Sequence, residues 1–178
     1  MAQAKIKKRF FDVEMPIINK ETQLYGYDTK ELEGRIISYD LTRLLKGKNI
    51  ILKLKVKIEK DTATSEPIEM TLMPYYLRRM IRKGTNYVED SFSAECKDAL
   101  LKIKPFLITR KKVSREVRKA LREKAKEEII SYIKTKTSEA LFSDIMLNKF
   151  QKSLSLKLKK IYPLSLCEIR NLKIEKNK

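Results

Sequence analysis

The sequence predicts an α+β fold: a curled antiparallel β-sheet, barrel-like and of about seven strands, with flanking α-helices. Three observations carry that expectation. Residues 10–108 hold short runs in which apolar and polar residues alternate, with turn residues between them; strands with one buried face have this pattern. From Ser114 onward the apolar residues recur every three or four positions, which is the helical period. Leu164 to Ile174 then returns to strand character. The 178 residues fit a single domain, with a basic arm (1–9), a mainly β part (10–108), a mainly α part (109–163) and a returning strand (164–174).

Taken in order, Phe11, Val13, Met15 and Ile17 share one side of a first strand, and Pro16 places it at an edge or a bulge. Asn19 to Lys30, with Gly26 and Asp28, reads as turn-rich. Leu32 to Tyr39 is a second strand, with a bulge expected at Gly34. Asp40 suits the cap of one helical turn, Leu41 to Leu45. Lys46 to Asn49 is a turn into the clearest strand of the chain. There Ile50, Leu52, Leu54, Val56 and Ile58 fall on one side, and Lys53, Lys55 and Lys57 on the other. Two strand rises set these lysines about 7 Å apart. Asp61 to Pro67 reads as a polar loop and Ile68 to Met73 as a fourth strand. Pro74 is placed to open a helix over Tyr75 to Lys83, which Gly84 stops. Tyr87 to Cys96 is a fifth strand, interrupted at Asp90, and Ala99 to Ile108 a sixth, flawed by Pro105.

The α part opens with a helix of about five turns on which Val117, Leu121, Ala125, Ile129 and Ile133 form the apolar stripe. Ser114 can cap it, and Glu116 suits the positive end of its dipole. Ser138 to Phe150 is a second amphipathic helix, and Leu154 to Ile161 a short third that Pro163 breaks. Leu164 to Ile174 makes the seventh strand.

Charge narrows the function. Lys and Arg total 41 against 23 Asp and Glu, for a formal +18 and a pI near 9.8. Such an excess calls for a polyanionic partner. It is also uneven: residues 1–100 hold 19 basic and 15 acidic side chains, and residues 101–178 hold 22 and 8. No cofactor or metal is expected. There is no histidine, the four glycines are not clustered, and Cys96 and Cys167 stand far apart in no metal spacing. The pairs Glu89 with Asp90 and Asp61 with Glu66 could hold magnesium for a nuclease, but they fit solvated surface residues better. The two cysteines favour a reducing compartment. No apolar run approaches a membrane span, and Phe10-Phe11 followed by Asp12 and Glu14 does not read as a signal peptide.

The strongest constellation is Arg110-Lys111-Lys112 and the helix that follows. Arg115, Arg118, Lys119, Arg122 and Lys126 recur on one of its sides; Arg110 to Lys126 holds nine basic residues and two acidic ones. A helix docked by its apolar stripe and cationic outside can follow a phosphate backbone. Arg78, Arg79, Arg82 and Lys83 beside Tyr75 and Tyr76 form a second patch. Lys53, Lys55 and Lys57 form a third, though lysines on an edge strand also block aggregation. Lys5, Lys7, Lys8 and Arg9 form the basic arm. These nineteen residues are the expected RNA-binding set.

Several segments occur in a familiar order: Phe11-Asp12-Val13, Leu32-Glu33-Gly34-Arg35, Ser38-Tyr39-Asp40-Leu41, the lead-in from Phe106 to Lys112, and Ile161-Tyr162-Pro163-Leu164 before a basic strand. Together they resemble the S-three-a-e family of ribosomal proteins of archaeal and eukaryotic small subunits, over nearly the whole chain. The resemblance implies a non-enzymatic, structural component of the cytoplasmic ribosome. It would bind small-subunit rRNA and touch neighbouring small-subunit ribosomal proteins near where mRNA leaves. The matching basic positions are Arg110, Lys111, Lys112 and the face after Ser114. The long leader and tail of the eukaryotic pattern are missing, which points to an archaeal-type member. A free-standing RNA- or DNA-binding module is the alternative expectation.

Overall fold

A computed structural model describes residues 7–45, 47–59 and 62–177. Among them are nine strands and four α-helices: β1 Arg9–Met15, β2 Lys20–Gly26, β3 Ile36–Asp40, β4 Ile50–Glu59, β5 Thr62–Leu72, α1 Pro74–Met80, β6 Tyr87–Glu89, β7 Phe92–Glu95, β8 Ala99–Thr109, α2 Arg115–Lys134, α3 Ser138–Met146, α4 Lys149–Leu158 and β9 Leu164–Asn177. The class is α+β. The hydrogen-bonded order is β2-β1-β5-β9-β8-β6, with β3 and β4 joined through β5 and β7 on β8. The sheet is mixed rather than wholly antiparallel, because β1 and β5 pair in parallel at Val13–Ala63 and Glu14–Thr64. The chain gathers into two compact units, residues 1–39 with 52–68, and residues 40–51 with 69–178.

In the first unit, β1 and β2 form a hairpin in which Phe11 faces Leu24 and Val13 faces Thr22. The turn-rich reading of Asn19 to Lys30 is thereby corrected. Lys20–Gly26 shows only Leu24 and Tyr25 as apolar residues, and an edge strand needs no more. Pro16–Ile18 is a 3-10 turn ending at Asn19, whose φ is 49°. The core holds Val13, Leu32, Val56 and Ala63, with Phe11, Leu24 and Ile37 packed on it. On β4, Leu52, Leu54 and Val56 are buried while Lys55 and Lys57 are exposed, as the alternation requires. Gly34 lies in a turn at φ 77° before β3 rather than in a bulge, and its N–H donates to Val56 O at 2.9 Å. The expected loop Asp61 to Pro67 is instead largely strand, since β5 starts at Thr62.

The second unit is built on β8 and β9, antiparallel from Ala99–Asn177 to Thr109–Leu164. Register shifts at Leu100/Leu101, Lys104/Pro105 and Ile108/Thr109 absorb irregularities, Pro105 among them. The expected fifth strand divides at Asp90 into β6 and β7, both antiparallel to β8. The far end of β5 pairs with β9 at Met70–Leu172. Helix α2 packs on β6 and β7, and α4 on β9, α2 and α3. The core includes Leu101, Ile103, Phe106, Leu121, Ile129, Phe142, Leu154, Leu158 and Leu172. The single helix expected over Ser138 to Phe150 breaks at Asn148, which has φ 57°. Asp98 serves α3 from outside: its carboxylate accepts the Ser138 N–H at 2.9 Å and the Ser138 hydroxyl at 2.5 Å.

Candidate nucleic-acid interface

Helix α2 starts where Ser114, in extended backbone, accepts a hydrogen bond from the Val117 N–H at 3.3 Å. That satisfies one of the donors that a helix start leaves open. Leu121, Ala125, Ile129 and Ile133 are buried at four-residue steps. Each step turns about 40° past a full revolution, so the buried stripe winds around the axis. Arg118, Arg122 and Lys126 keep the same step and run alongside it, flanked by Arg115 and Lys119. Arg115, Lys119, Arg122 and Lys126 are exposed and Arg118 is half-buried. The Arg118 Nε is shielded from solvent and, among the described residues, has no hydrogen-bond partner. The Lys126 Nζ stands 5.6 Å from the centre of the Phe92 ring, which ties this end of the stripe to β7. Arg115, Arg118, Lys119 and Arg122 line a surface groove with Glu116 and Glu123.

The two halves of α2 differ in charge balance. In the first half the ion pair is Lys119–Glu123 at 3.8 Å, with both side chains mostly exposed; such pairs neutralise little. The acids of the second half are engaged: Glu127 meets Lys124 at 3.1 Å, and Glu128 meets Lys124 at 3.7 Å and Lys157 of α4 at 2.5 Å. The Lys157 hydrogen bond holds the Glu128 carboxyl below its ordinary value, and Glu127 holds the Lys124 ammonium above its own. By count, residues 115–124 hold five bases and two acids and residues 125–134 two of each, so surplus cation is concentrated in the first half.

A second cationic surface adjoins the start of α2. Thr109, fully buried at the end of β8, donates its N–H to Asn86 O at 2.9 Å and accepts the Asn86 N–H on its hydroxyl at 3.1 Å. The Asn86 Oδ1 accepts the Val113 N–H at 2.9 Å. These bonds stitch the segment before β6 to the segment after β8. The segment that carries Arg82 and Lys83 is thus fastened to the one that carries Arg110, Lys111 and Lys112, and all five side chains are exposed. Among the described residues none of the five is ion-paired. Sequence reasoning placed these residues in separate patches and missed Asn86; an isolated asparagine after Gly84-Thr85 carries no periodic signal.

The remaining expected residues are spread out. Helix α1 ends at Met80, so Arg82 and Lys83 are not helical. Arg78 and Arg79 are exposed, and Arg79 lies 5.5 Å from the Tyr76 ring. Tyr76 is buried and anchors α1, whereas Tyr75 is 49% exposed. In the first unit, Lys57 pairs with Glu66 across the β4–β5 hairpin, Lys53 is half-buried and Lys55 exposed. The Lys8 Nζ stands 4.9 Å from the Tyr27 ring, and Arg9 stands 4.8 Å from Phe11. Lys7 is exposed, and Lys5 lies outside the described residues. Of the carboxylate pairs, Glu89 binds Arg170 at 3.3 Å, Asp90 accepts the Ser91 N–H at 2.8 Å, Glu66 takes Lys57, and Asp61 is outside the described residues. Among those residues no His, Cys, Asp and Glu cluster is placed to hold a metal, and no helix is long and apolar enough to cross a membrane.

Residues 3–178 match the model of the Ribosomal S3Ae family. The chain belongs to this family. Among relatives, a Small ribosomal subunit protein eS1 of Methanothermobacter thermautotrophicus is 33% identical over 122 residues, covering 66% of this chain and 63% of that protein. Proteins of the same name from Halorubrum lacusprofundi and Nanoarchaeum equitans are 26% and 24% identical. Their alignments cover 98% and 95% of this chain, and 85% and 89% of the relatives. The Ribosomal S3Ae match thus spans the hairpin, the long β8–β9 ladder and the cationic half of α2 together, and agrees with the family resemblance read from the sequence.

Proposed function

We propose that this Ribosomal S3Ae family member is a structural, non-catalytic component of the small ribosomal subunit that binds rRNA and supports subunit assembly and translation. The observation that carries this reading is the charge asymmetry of α2. Its second half holds two bases and two acids, while its first half holds five bases and two acids and follows directly on Arg110–Lys112. Arginine forks suit phosphate oxygens. A surface that reads phosphates needs no catalytic group, only cations held in register by a rigid scaffold. Neighbouring small-subunit proteins, and mRNA near its exit, are the further contacts in this reading.

Sucrose-gradient fractionation of a lysate tests it. The protein is expected in the small-subunit fractions, and Arg115→Glu/Arg122→Glu is expected to move to the top of the gradient. With purified rRNA, each phosphate contact removed lowers the log–log salt slope by roughly 0.7 to 0.9. A wild-type protein that binds RNA yet stays at the top would instead be a free-standing RNA- or DNA-binding module. One that binds no RNA at all would overturn both readings. Crosslinking to mRNA in subunits carrying the protein tests the contact near the exit.

A further inference from the structure

We propose that the outward face of the β1–β2 hairpin is a stacking platform for unpaired RNA bases, with Phe10 and Tyr25 as its surface and Lys8 as its cation. The inference rests on the RNA-binding reading above and adds a second, chemically different contact. Antiparallel register sets Phe10 opposite Tyr25, with ring centroids 5.0 Å apart and planes tilted by 45°. The hairpin core does not use these rings, because Phe11, Val13 and Leu24 point the other way into the unit. Phe10 is 66% exposed, Tyr25 51% and Tyr27 44%. The Lys8 Nζ lies 5.8 Å from the Tyr25 ring and 4.9 Å from the Tyr27 ring.

Charge decides the occupant. A lysine over exposed rings combines a phosphate contact with π-faces, the two elements of a single-strand site. Every base has a π-face, so such a site tolerates sequence, whereas a duplex hides its base faces in the stack. The same face also limits the platform. On the next rung Gln23 donates to Asp12 at 2.9 Å, and beyond it Glu14 faces Glu21. These carboxylates repel phosphate. At the other end Glu31, which accepts the Tyr27 N–H at 2.9 Å and lies within reach of Lys8, is offset by Arg35 at 2.7 Å. The platform is therefore centred on the Phe10–Tyr25 rung, enough for about one splayed base.

The test uses the full chain with an unstructured oligonucleotide of about a dozen nucleotides, labelled with 2-aminopurine, and a blunt RNA duplex of the same length. For Phe10→Ala/Tyr25→Ala, single-strand affinity is expected to fall at least about tenfold and fluorescence quenching to be lost. Duplex affinity and the salt slope stay unchanged, and Phe10→Tyr binds as wild type. The proposal is overturned if the double variant keeps full single-strand affinity, or if both RNA forms weaken equally. It is also overturned if the variant binds RNA normally but no longer joins the small subunit, which would assign the face to a protein neighbour. A wild-type protein that binds neither RNA form defeats the RNA-binding reading itself; one that binds the duplex alone defeats only the platform.

Discussion

The Lys48 Nζ lies 2.6 Å from the Glu168 Oε2, although 120 residues separate them. Their side chains are 8% and 11% exposed. The lysine also donates to Asn148 Oδ1 at 2.6 Å, and Gln151 donates to Glu168 at 3.3 Å. One buried cluster thus fastens the turn before β4, the α3–α4 junction and β9. Removing one member of such a pair strands a charge, at a cost of about 3–5 kcal/mol. Lys48→Met should lose that much in urea denaturation, and Lys48→Met/Glu168→Leu should lose less than the single variant. Equal losses would mean that water, not the pair, carries the charge.

Asn86→Ala should act on both stability and binding. It leaves the Val113 N–H without its acceptor, at a cost of about 1–3 kcal/mol, and loosens Arg110–Lys112. RNA affinity and the salt slope should both fall in filter binding. Ser114→Ala should cost about 1 kcal/mol from the lost cap and leave the slope alone, because it moves no cation. A slope unchanged in Asn86→Ala would remove these loops from the interface.

Acid should find a weak point at Asp98. Burial pushes its carboxyl up, but the hydrogen bonds from the Ser138 hydroxyl and N–H prevail and hold it below its ordinary 3.8. A depressed carboxylate stabilises the fold at pH above 3.8, and that stabilisation is lost as the pH falls through its folded value. The melting temperature of wild type should therefore drop more steeply than that of Asp98→Asn between about pH 5 and pH 2. Asp144, held low by Lys136 and Tyr132 against its own burial, leaves a residual slope in the variant. Parallel curves would show that Asp98 contributes no linkage.

Both thiols should resist alkylation. Burial, with Glu168 adding, pushes the Cys167 thiol up to about 12. Cys96 is raised chiefly by burial, and its Sγ donates to Ala99 O at 2.9 Å. The thiolate is the reactive form, so iodoacetamide near neutral pH should label neither cysteine until denaturant is added. Rapid labelling of the folded chain would contradict this packing.

Much of this was legible because burial leaves a period in the sequence. Ile50 to Val56 alternates, and Leu121 to Ile133 recurs every four residues, since each element must hide one face. The Ser114 cap was readable for a local reason, a side-chain oxygen at a helix start. Lys20–Gly26 was not, because its outer residues face solvent and follow no apolar pattern. Nor was the break at Asn148, where neither glycine nor proline marks the turn and a non-glycine residue takes the left-handed conformation. At the interface, the cations of Arg110 to Lys126 stood out by number. That the segment of Arg82 and Lys83 is fastened to theirs depends on bonds between Asn86, Thr109 and Val113, which no spacing along the chain encodes.

The placing of β9 between β5 and β8 affects how the protein is born. Of the nine strands this one is translated latest, yet it occupies an interior position in its sheet. While it is still inside the exit tunnel, β8 and the end of β5 have emerged with bare edges and exposed grease. The second unit therefore cannot complete its sheet until a keystone delivered after every other strand arrives, and a nascent chain stalled short of Leu164 would leave both partners of β9 unpaired along that side.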